Sequence, residues 1–415
     1  MASTLRYQLV GRRQPGFWLL GLGAGALLLA GLGAAYYMAA AGHAVTGMSN
    51  RIVWGLPHAF AIALILAATG ALMVTALGSL LGRAPLRPLG RLGGVTAAAL
   101  LLGGLAVLVL DLGRPDRLVV AMTHFNPASS FARNIVLYNG FLLIVALYLA
   151  TRMAPAAYRY ERPAAALALA WPLLLAANVG SIFALLPARE AYGGAIMVPL
   201  LIAAALAYGT AALALAALGV LRGQGRRAPA PLAAELSRLL AAALAATILL
   251  LAVHFLALAY DPATREAARF LLVDGGPYPA VMWLGAAGVG LILPSLLLAF
   301  GASRPRARTL PWAAGLTLAG GLALLFGVIV GAQAQPLTLF PGAETAGSAF
   351  DGEAAHYRPS GWEAALGLGG VALTVIALLA GLRALPLLPR RLPDEPPSAA
   401  APAPQQGAAA APAAG

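Results

Sequence analysis

Residues 52–81 read IVWGLPHAFAIALILAATGALMVTALGSLL, thirty consecutive positions with one histidine and no Asp, Glu, Lys or Arg. About 20 apolar residues cross a hydrocarbon core as a helix, so this run is long enough to span a membrane. It is continuously apolar and rich in Ala, Leu and Gly, whereas a lipid-facing barrel strand alternates over about ten residues. Nine further blocks of the same kind cover 17–40, 94–111, 134–152, 164–187, 195–221, 239–259, 280–301, 310–332 and 362–385. The composition agrees. Hydrophobic residues make up 61% of the 415 positions and charged residues 10%, against roughly a quarter charged in a soluble domain. The expected fold is an all-α integral membrane protein of about ten transmembrane helices.

The basic residues set the expected topology. All 27 are arginine, and nineteen fall on one set of alternating connections: Arg6, Arg12, Arg13, Arg83, Arg87, Arg91, Arg152, Arg159, Arg162, Arg222, Arg226, Arg227, Arg238, Arg304, Arg306, Arg308, Arg383, Arg390 and Arg391. The positive-inside rule makes that face cytoplasmic and places both termini there, in a bacterial inner membrane. The net charge of +13 is thereby accounted for without nucleic acid. Residues 1–16 read as a cytoplasmic N-terminus whose charged start precedes a signal anchor, and 17–385 as the membrane domain. The Pro/Ala-rich stretch 386–415 reads as a disordered cytoplasmic tail. Spans two to five and six to nine (52–187 and 195–332) can be paired as two four-helix units, with the first and last spans added. The inner loops are short and look like plain connectors. The outer loops are longer and hold most of the acidic residues, among them Asp111, Asp116, Glu190, Asp261, Glu266, Asp274, Glu344, Asp351 and Glu353. They read as the working face.

Ionisable groups at membrane depth are costly and therefore mark candidate sites. The densest group lies at the outer ends of spans two to four. It comprises His43, Asn50, Trp54 and His58; then Asp111 and Arg114; then His124; and then Arg133, Asn134 and Tyr138. His58 sits one turn inside its span. Asp111 closes the third span, and Arg114 at i+3 shares its face if the helix continues, so the two are expected to pair. His254, Ser181, Arg189 and Tyr192 form a second rank on the same side. Trp54 and Tyr138 also fit an interfacial aromatic belt, Asp111 with Arg114 also fits a helix-end pair, and His43 and His124 also fit ordinary loop histidines. An apolar cleft lined by hydrogen-bonding groups and a proton acceptor suits a quinone headgroup, whose two-electron oxidation releases two protons. His58 and Asp111 are the expected proton handlers. The chain has no cysteine, which excludes disulfides, thiolate nucleophiles and cysteine-ligated clusters. No metal-ligand or phosphate-binding motif is evident. His58 and His254, the histidines inside spans, would allow at most one bis-histidine haem.

Four segments carry a family resemblance: Asp111-Leu112-Gly113-Arg114-Pro115; Val53-Trp54-Gly55-Leu56-Pro57-His58 through Thr69-Gly70-Ala71; Phe131-Ala132-Arg133-Asn134-Ile135; and Gly180-Ser181-Ile182-Phe183 with Ala188-Arg189. In this order they resemble the NrfD / polysulfide reductase membrane-subunit family over residues 43–220. The second half matches mainly in hydropathy. Ten spans are similar to the longer members found in Dsr-type sulfur-metabolising complexes and in alternative complex III. The resemblance implies a subunit without an intrinsic cofactor that binds ubiquinol or menaquinol near the outer face. It also implies electron exchange with a ferredoxin-like iron–sulfur subunit docked there, with further catalytic or cytochrome subunits in the complex. It places His58, Asn134 and Tyr138 around the headgroup, His58 standing where some members have Asn. Two alternatives stay open on sequence grounds: a secondary transporter, which requires interrupted helices and mid-membrane ionisable groups, and a passive anchor for a redox partner.

Overall fold

The protein is described from a computed structural model, which covers residues 6–9, 15–186, 188–300, 306–337 and 352–395. Among the described residues, ten helices are long and apolar enough to cross a membrane: α1 Gly16–Ala41, α2 Leu56–Leu80, α3 Arg87–Leu110, α4 Ser130–Met153, α5 Pro155–Ala184, α6 Met197–Gly223, α7 Ala230–Tyr260, α8 Tyr278–Phe300, α9 Ala307–Ala334 and α10 Gly361–Ala384. The chain is an all-α, multi-pass membrane protein. Glu344 and Asp351 of the outer loops, and Arg12, Arg13 and Arg304 of the inner ones, lie outside the described residues.

Helix contacts give two similar rings of four. In the first, α2 packs on α3 and α5, and α4 packs on α3 and α5; in the second, α6 packs on α7 and α9, and α8 packs on α7 and α9. The rings meet where α2 crosses α6. A Cβ on Gly70 would lie 1.7 Å from the Ala205 carbonyl oxygen, and one on Gly209 would lie 2.1 Å from the Ala71 nitrogen. Only glycine lets these backbones touch, the usual device for joining helices where lipid removes the hydrophobic drive. Outside the rings, α1 lies against α10, again through facing glycines: a Cβ on Gly31 would sit 2.7 Å from Gly369 Cα. The α1–α10 pair rests on α3 and α2 through α10.

The arginine-rich face is more than a set of connectors. Arg152 donates to Ser79 Oγ at 2.9 Å and to Glu161 at 2.8 Å, and Arg83 reaches Glu235 at 3.1 Å. Arg91 donates to the Arg152 and Pro386 carbonyls and stacks 3.7 Å over the Tyr7 ring. The segments flanking α1 and α10 meet on this face: β1 (Tyr7–Gln8) pairs antiparallel with β2 (Leu388–Pro389). Residues 386–395 therefore correct the expectation of a disordered tail from Pro386 onward. Leu387, Leu388 and Leu392 are buried, and Glu395 forms a buried pair with Arg226 at 2.6 Å. Three leucines and one carboxylate are enough to anchor a segment whose composition is otherwise that of a linker. Residues 396–415 lie outside the described residues.

Candidate functional site

Asp111 stands at the centre of the cluster formed where α3 ends and α2 begins. The α3 helix ends at Leu110, and Asp111 is its C-cap residue with φ −85° and ψ −9°. Its carboxylate turns inward and is almost fully buried, with its side chain 1% exposed. His58, one turn into α2, brings Nδ1 to 2.9 Å from Asp111 Oδ2. The ring N–H does not align with that oxygen, so Nδ1 and both carboxylate oxygens lack a well-directed hydrogen bond. His43, from the short helical turn His43–Val45 after α1, approaches from the other side. Its Nε2 is 3.8 Å from Asp111 Oδ1 and 3.0 Å from the Asp111 backbone oxygen. A buried carboxylate with two imidazoles and no guanidinium is the electrostatic core of the site.

The expected pairing of Asp111 with Arg114 is corrected. Arg114 adopts φ −136° and ψ 70°, which breaks the helical register that i+3 pairing requires. Its guanidinium turns into solvent and binds Asp116 through two 3.2 Å contacts. That exposed pair raises the Arg114 pKa and holds the Asp116 carboxyl below its ordinary value, the side-chain hydrogen bond being the main cause.

The α2 start is held by two long-range clamps. Gln333, near the end of α9, accepts from the Val53 and Trp54 backbone nitrogens at 2.9 and 3.0 Å and donates to the Trp54 carbonyl at 2.9 Å. Tyr357, in the linker before α10, accepts from Leu56 N at 2.6 Å and donates to Glu363 Oε1 at 2.6 Å. Burial is the main cause that pushes the Tyr357 phenol pKa up, so it remains a donor at neutral pH. Glu363 is fully buried. It accepts from Gly47 N and Ser360 N at 2.9 and 2.7 Å and closes a capping box with Ser360 at the start of α10. Gly55 allows this approach: a Cβ there would lie 2.6 Å from Glu363 Oε1 and 2.7 Å from the Tyr357 hydroxyl.

An aromatic wall stands beside His58. The Trp54 ring lies 6.1 Å from the His58 ring, 5.7 Å from Phe131 on α4, 6.0 Å from Phe183 on α5 and 6.5 Å from Tyr192. Behind it, Arg133 Nε donates to Asn178 Oδ1 at 3.0 Å, and Asn178 Nδ2 donates to Asn134 Oδ1 at 2.8 Å. Arg133 also donates to Ser130 Oγ at 2.7 Å. This network ties α4 to α5, and Ser181 Oγ donates back to the Asn178 carbonyl at 2.7 Å. Tyr138 packs half-buried against the core. Arg189 pins the loop before α2 by donating to the Arg51 carbonyl at 3.0 Å, and burial lowers its pKa. Tyr192 donates to the Ile329 carbonyl at 2.9 Å.

The structure thus gathers His43, Trp54, His58 and Asp111 at one point and places Arg133 and Asn134 in the adjoining wall. It does not bring in the remainder. His124 is exposed and contacts Thr123 Oγ1 at 3.1 Å, and Asn50 is exposed. His254 is buried in α7 against Phe255. Four residues absent from the sequence reading emerge: Asn178, Gln333, Tyr357 and Glu363. Of these, Glu363 had a local signal, since Ser360-Gly361-Trp362-Glu363 before an apolar run is a capping-box pattern. No group of three or more metal-binding side chains occurs among the described residues.

Residues 44–336 match the polysulphide reductase NrfD family. This chain belongs to that family. The match takes in α2–α9 and both rings, and it leaves α1, His43, Tyr357, Glu363 and α10 outside. Two relatives extend over nearly all of this NrfD chain. An Archaeoglobus fulgidus protein named Hdr-like menaquinol oxidoreductase integral membrane subunit is 26% identical over 354 residues, covering 85% of this chain and 89% of its own. A Halobacterium salinarum protein, provisionally named as a membrane subunit of dimethyl sulfoxide reductase, is 29% identical over 404 residues, covering 89% and 91%.

Proposed function

We propose that this NrfD-family chain is the quinol-reactive membrane subunit of a redox complex, with the headgroup bound at the outer ends of α2 and α3. The observation that carries the reading is the buried Asp111 carboxylate, whose two oxygens are unengaged by hydrogen bonds, 2.9 Å from His58 Nδ1. A buried carboxylate is expensive, and one whose near partners are titratable imidazoles in place of a fixed positive charge is suited to accept a proton. Because Nδ1 faces Asp111, the opposite ring nitrogen, Nε2, is left for a quinol hydroxyl. A proton arriving there places an imidazolium beside the carboxylate, an attraction strengthened by the low polarity of the surroundings. Trp54, Phe131 and Phe183 supply ring faces for the headgroup, while Arg133 and Asn134 stiffen the α4 side. The two electrons go to an extrinsic iron–sulfur subunit on the outer face. The arginine distribution supports cytoplasmic termini, and the name of the Archaeoglobus relative supports menaquinol as the quinol.

The test is fluorescence quenching of a quinol-analogue inhibitor by purified protein. His58→Ala and Asp111→Asn should each weaken binding roughly tenfold or more, the cost of about one charge-assisted hydrogen bond. Native protein that is folded and does not bind the analogue refutes the assignment.

A further inference from the structure

We infer that His43 is the exit residue for quinol protons, passing them from Asp111 to water on the outer face. The inference rests on the quinol reading above. Three observations lead to it. His43 and His58 flank the same carboxylate on opposite oxygens, Oδ1 and Oδ2. Their exposure differs: the side chains of His58, Asp111 and His43 are 18%, 1% and 32% exposed. A proton on Asp111 is therefore shut off from water, and His43 is the most open of the three. Finally, Gly113 brings its backbone to the His43 ring, where a Cβ would lie 3.4 Å from Cε1 and Nδ1, so the turn after α3 cradles the imidazole instead of displacing it.

The groups facing this path from the neighbouring elements are few. Tyr357 and Glu363 come from the α10 side and satisfy each other, with Glu363 also holding Gly47 beside the His43 turn. Arg114 in the loop after α3 is engaged by Asp116. Tyr37 on α1 packs at a tilt against Trp362, with ring centroids 4.6 Å apart. None of these competes for Asp111.

Quinol oxidation breaks two O–H bonds and sends two electrons to the iron–sulfur partner. For each proton, the quinol O–H breaks and a His58 Nε2–H forms, while the ring turns to align Nδ1–H with Asp111 Oδ2, 2.9 Å away, and that proton moves to Oδ2. The carboxyl then gives its proton through Oδ1 to His43 Nε2, and His43 Nδ1 releases one to water. Before the second transfer His58 returns to the Nδ1–H form by proton exchange through water. The 3.8 Å separation between Oδ1 and Nε2 must close by about 1 Å to reach hydrogen-bonding distance, a swing of a loop side chain that is one-third exposed. In the structure the 3.0 Å contact of His43 Nε2 with the Asp111 backbone oxygen is an Nε2–H donating to a carbonyl. Before each transfer this hydrogen bond therefore opens and the ring exchanges its proton through water to the Nδ1–H form, which frees Nε2 to accept.

His43→Gln and His43→Ala are tested in membranes containing the assembled complex, with a short-tailed menaquinol analogue as donor. Proton relays of this kind contribute roughly 10²–10⁴-fold, and a path with water as substitute should lose at least tenfold in kcat. KM and inhibitor quenching should stay within twofold, and added imidazole should restore turnover in His43→Ala in proportion to its concentration. Unchanged kcat in both variants overturns the inference. So does a loss of kcat that imidazole does not restore, or a parallel loss of inhibitor binding, either of which makes His43 a scaffold residue. Quenching by the native complex, abolished by His58→Ala, keeps the quinol reading whichever way His43 falls.

Discussion

The α3 helix stops at Leu110, and that stop turns Arg114 away and leaves Asp111 to the imidazoles. Had the helix continued one turn, Arg114 would sit on the Asp111 face and the carboxylate would be an ordinary structural ion pair. Glu363 shows the opposite case: it is just as buried, yet its two oxygens accept from the Tyr357 hydroxyl and the Gly47 and Ser360 nitrogens. Its role is therefore to position residues. Glu363→Gln replaces one accepting oxygen with a donor facing another donor, and should cost about 1–3 kcal/mol of stability and weaken inhibitor binding through the loosened α2 start. An unchanged melting temperature in detergent would contradict this. The sequence showed His58 and Asp111 because ionisable groups within apolar spans stand out on their own. It could not show Gln333, which clamps Trp54 from 279 positions away, nor Asn178, which reads as one more polar residue in a span. Long-range partners leave no local period or spacing to read.

Among the elements, the ten spans were legible because length and apolar content alone decide them. Their ends were less so. The fifth span was expected at 164–187, but α5 begins at Pro155, because the turn Pro155–Tyr160 carries Tyr158, Arg159 and Tyr160 and lowers the local hydropathy. Facing glycines were invisible as such among 48 in the chain. They matter nonetheless where backbones touch. Gly369→Leu should part α1 from α10 and cost roughly 1–3 kcal/mol by overpacking, whereas Gly25→Leu on α1, where a Cβ meets nothing within 4 Å, should be neutral. Melting of the two purified variants side by side checks this, and equal effects would refute the packing role of Gly369.

For the whole molecule, the two four-helix rings share one contact scheme. Corresponding helices α2 and α6 run in the same direction, each following an odd number of spans, as expected for parallel repeats. The proposed site draws on the first ring and on residues contributed by α9, α10 and the linkers. At the opposite face, the joined segments flanking α1 and α10 depend on Arg226 and Glu395. The Arg226 hydrogen bond is the largest cause holding the Glu395 carboxyl below its ordinary 4.5. With the folded pKa depressed, the pair's contribution is complete above pH 4.5 and is lost as the pH falls through the lower folded value. Glu395→Gln should therefore lower the melting temperature at pH 7 and have a smaller effect once the pH falls below the folded-state pKa, and an equal loss at both pH values would contradict the linkage.

The α1–α10 contact also bears on how the chain is made. Gly31 and Gly369 are 338 residues apart, and at about 5–20 residues per second a ribosome needs roughly 15–70 s to cover that distance. During that interval the first helix has entered the bilayer before its main packing neighbour has been synthesised. Its most apolar window is 17% buried even in the finished fold, so lipid is already the greater part of its surroundings. The first helix can wait in the membrane, and the last one to be inserted completes both the packing of α1 and the Glu363 clamp beside Asp111.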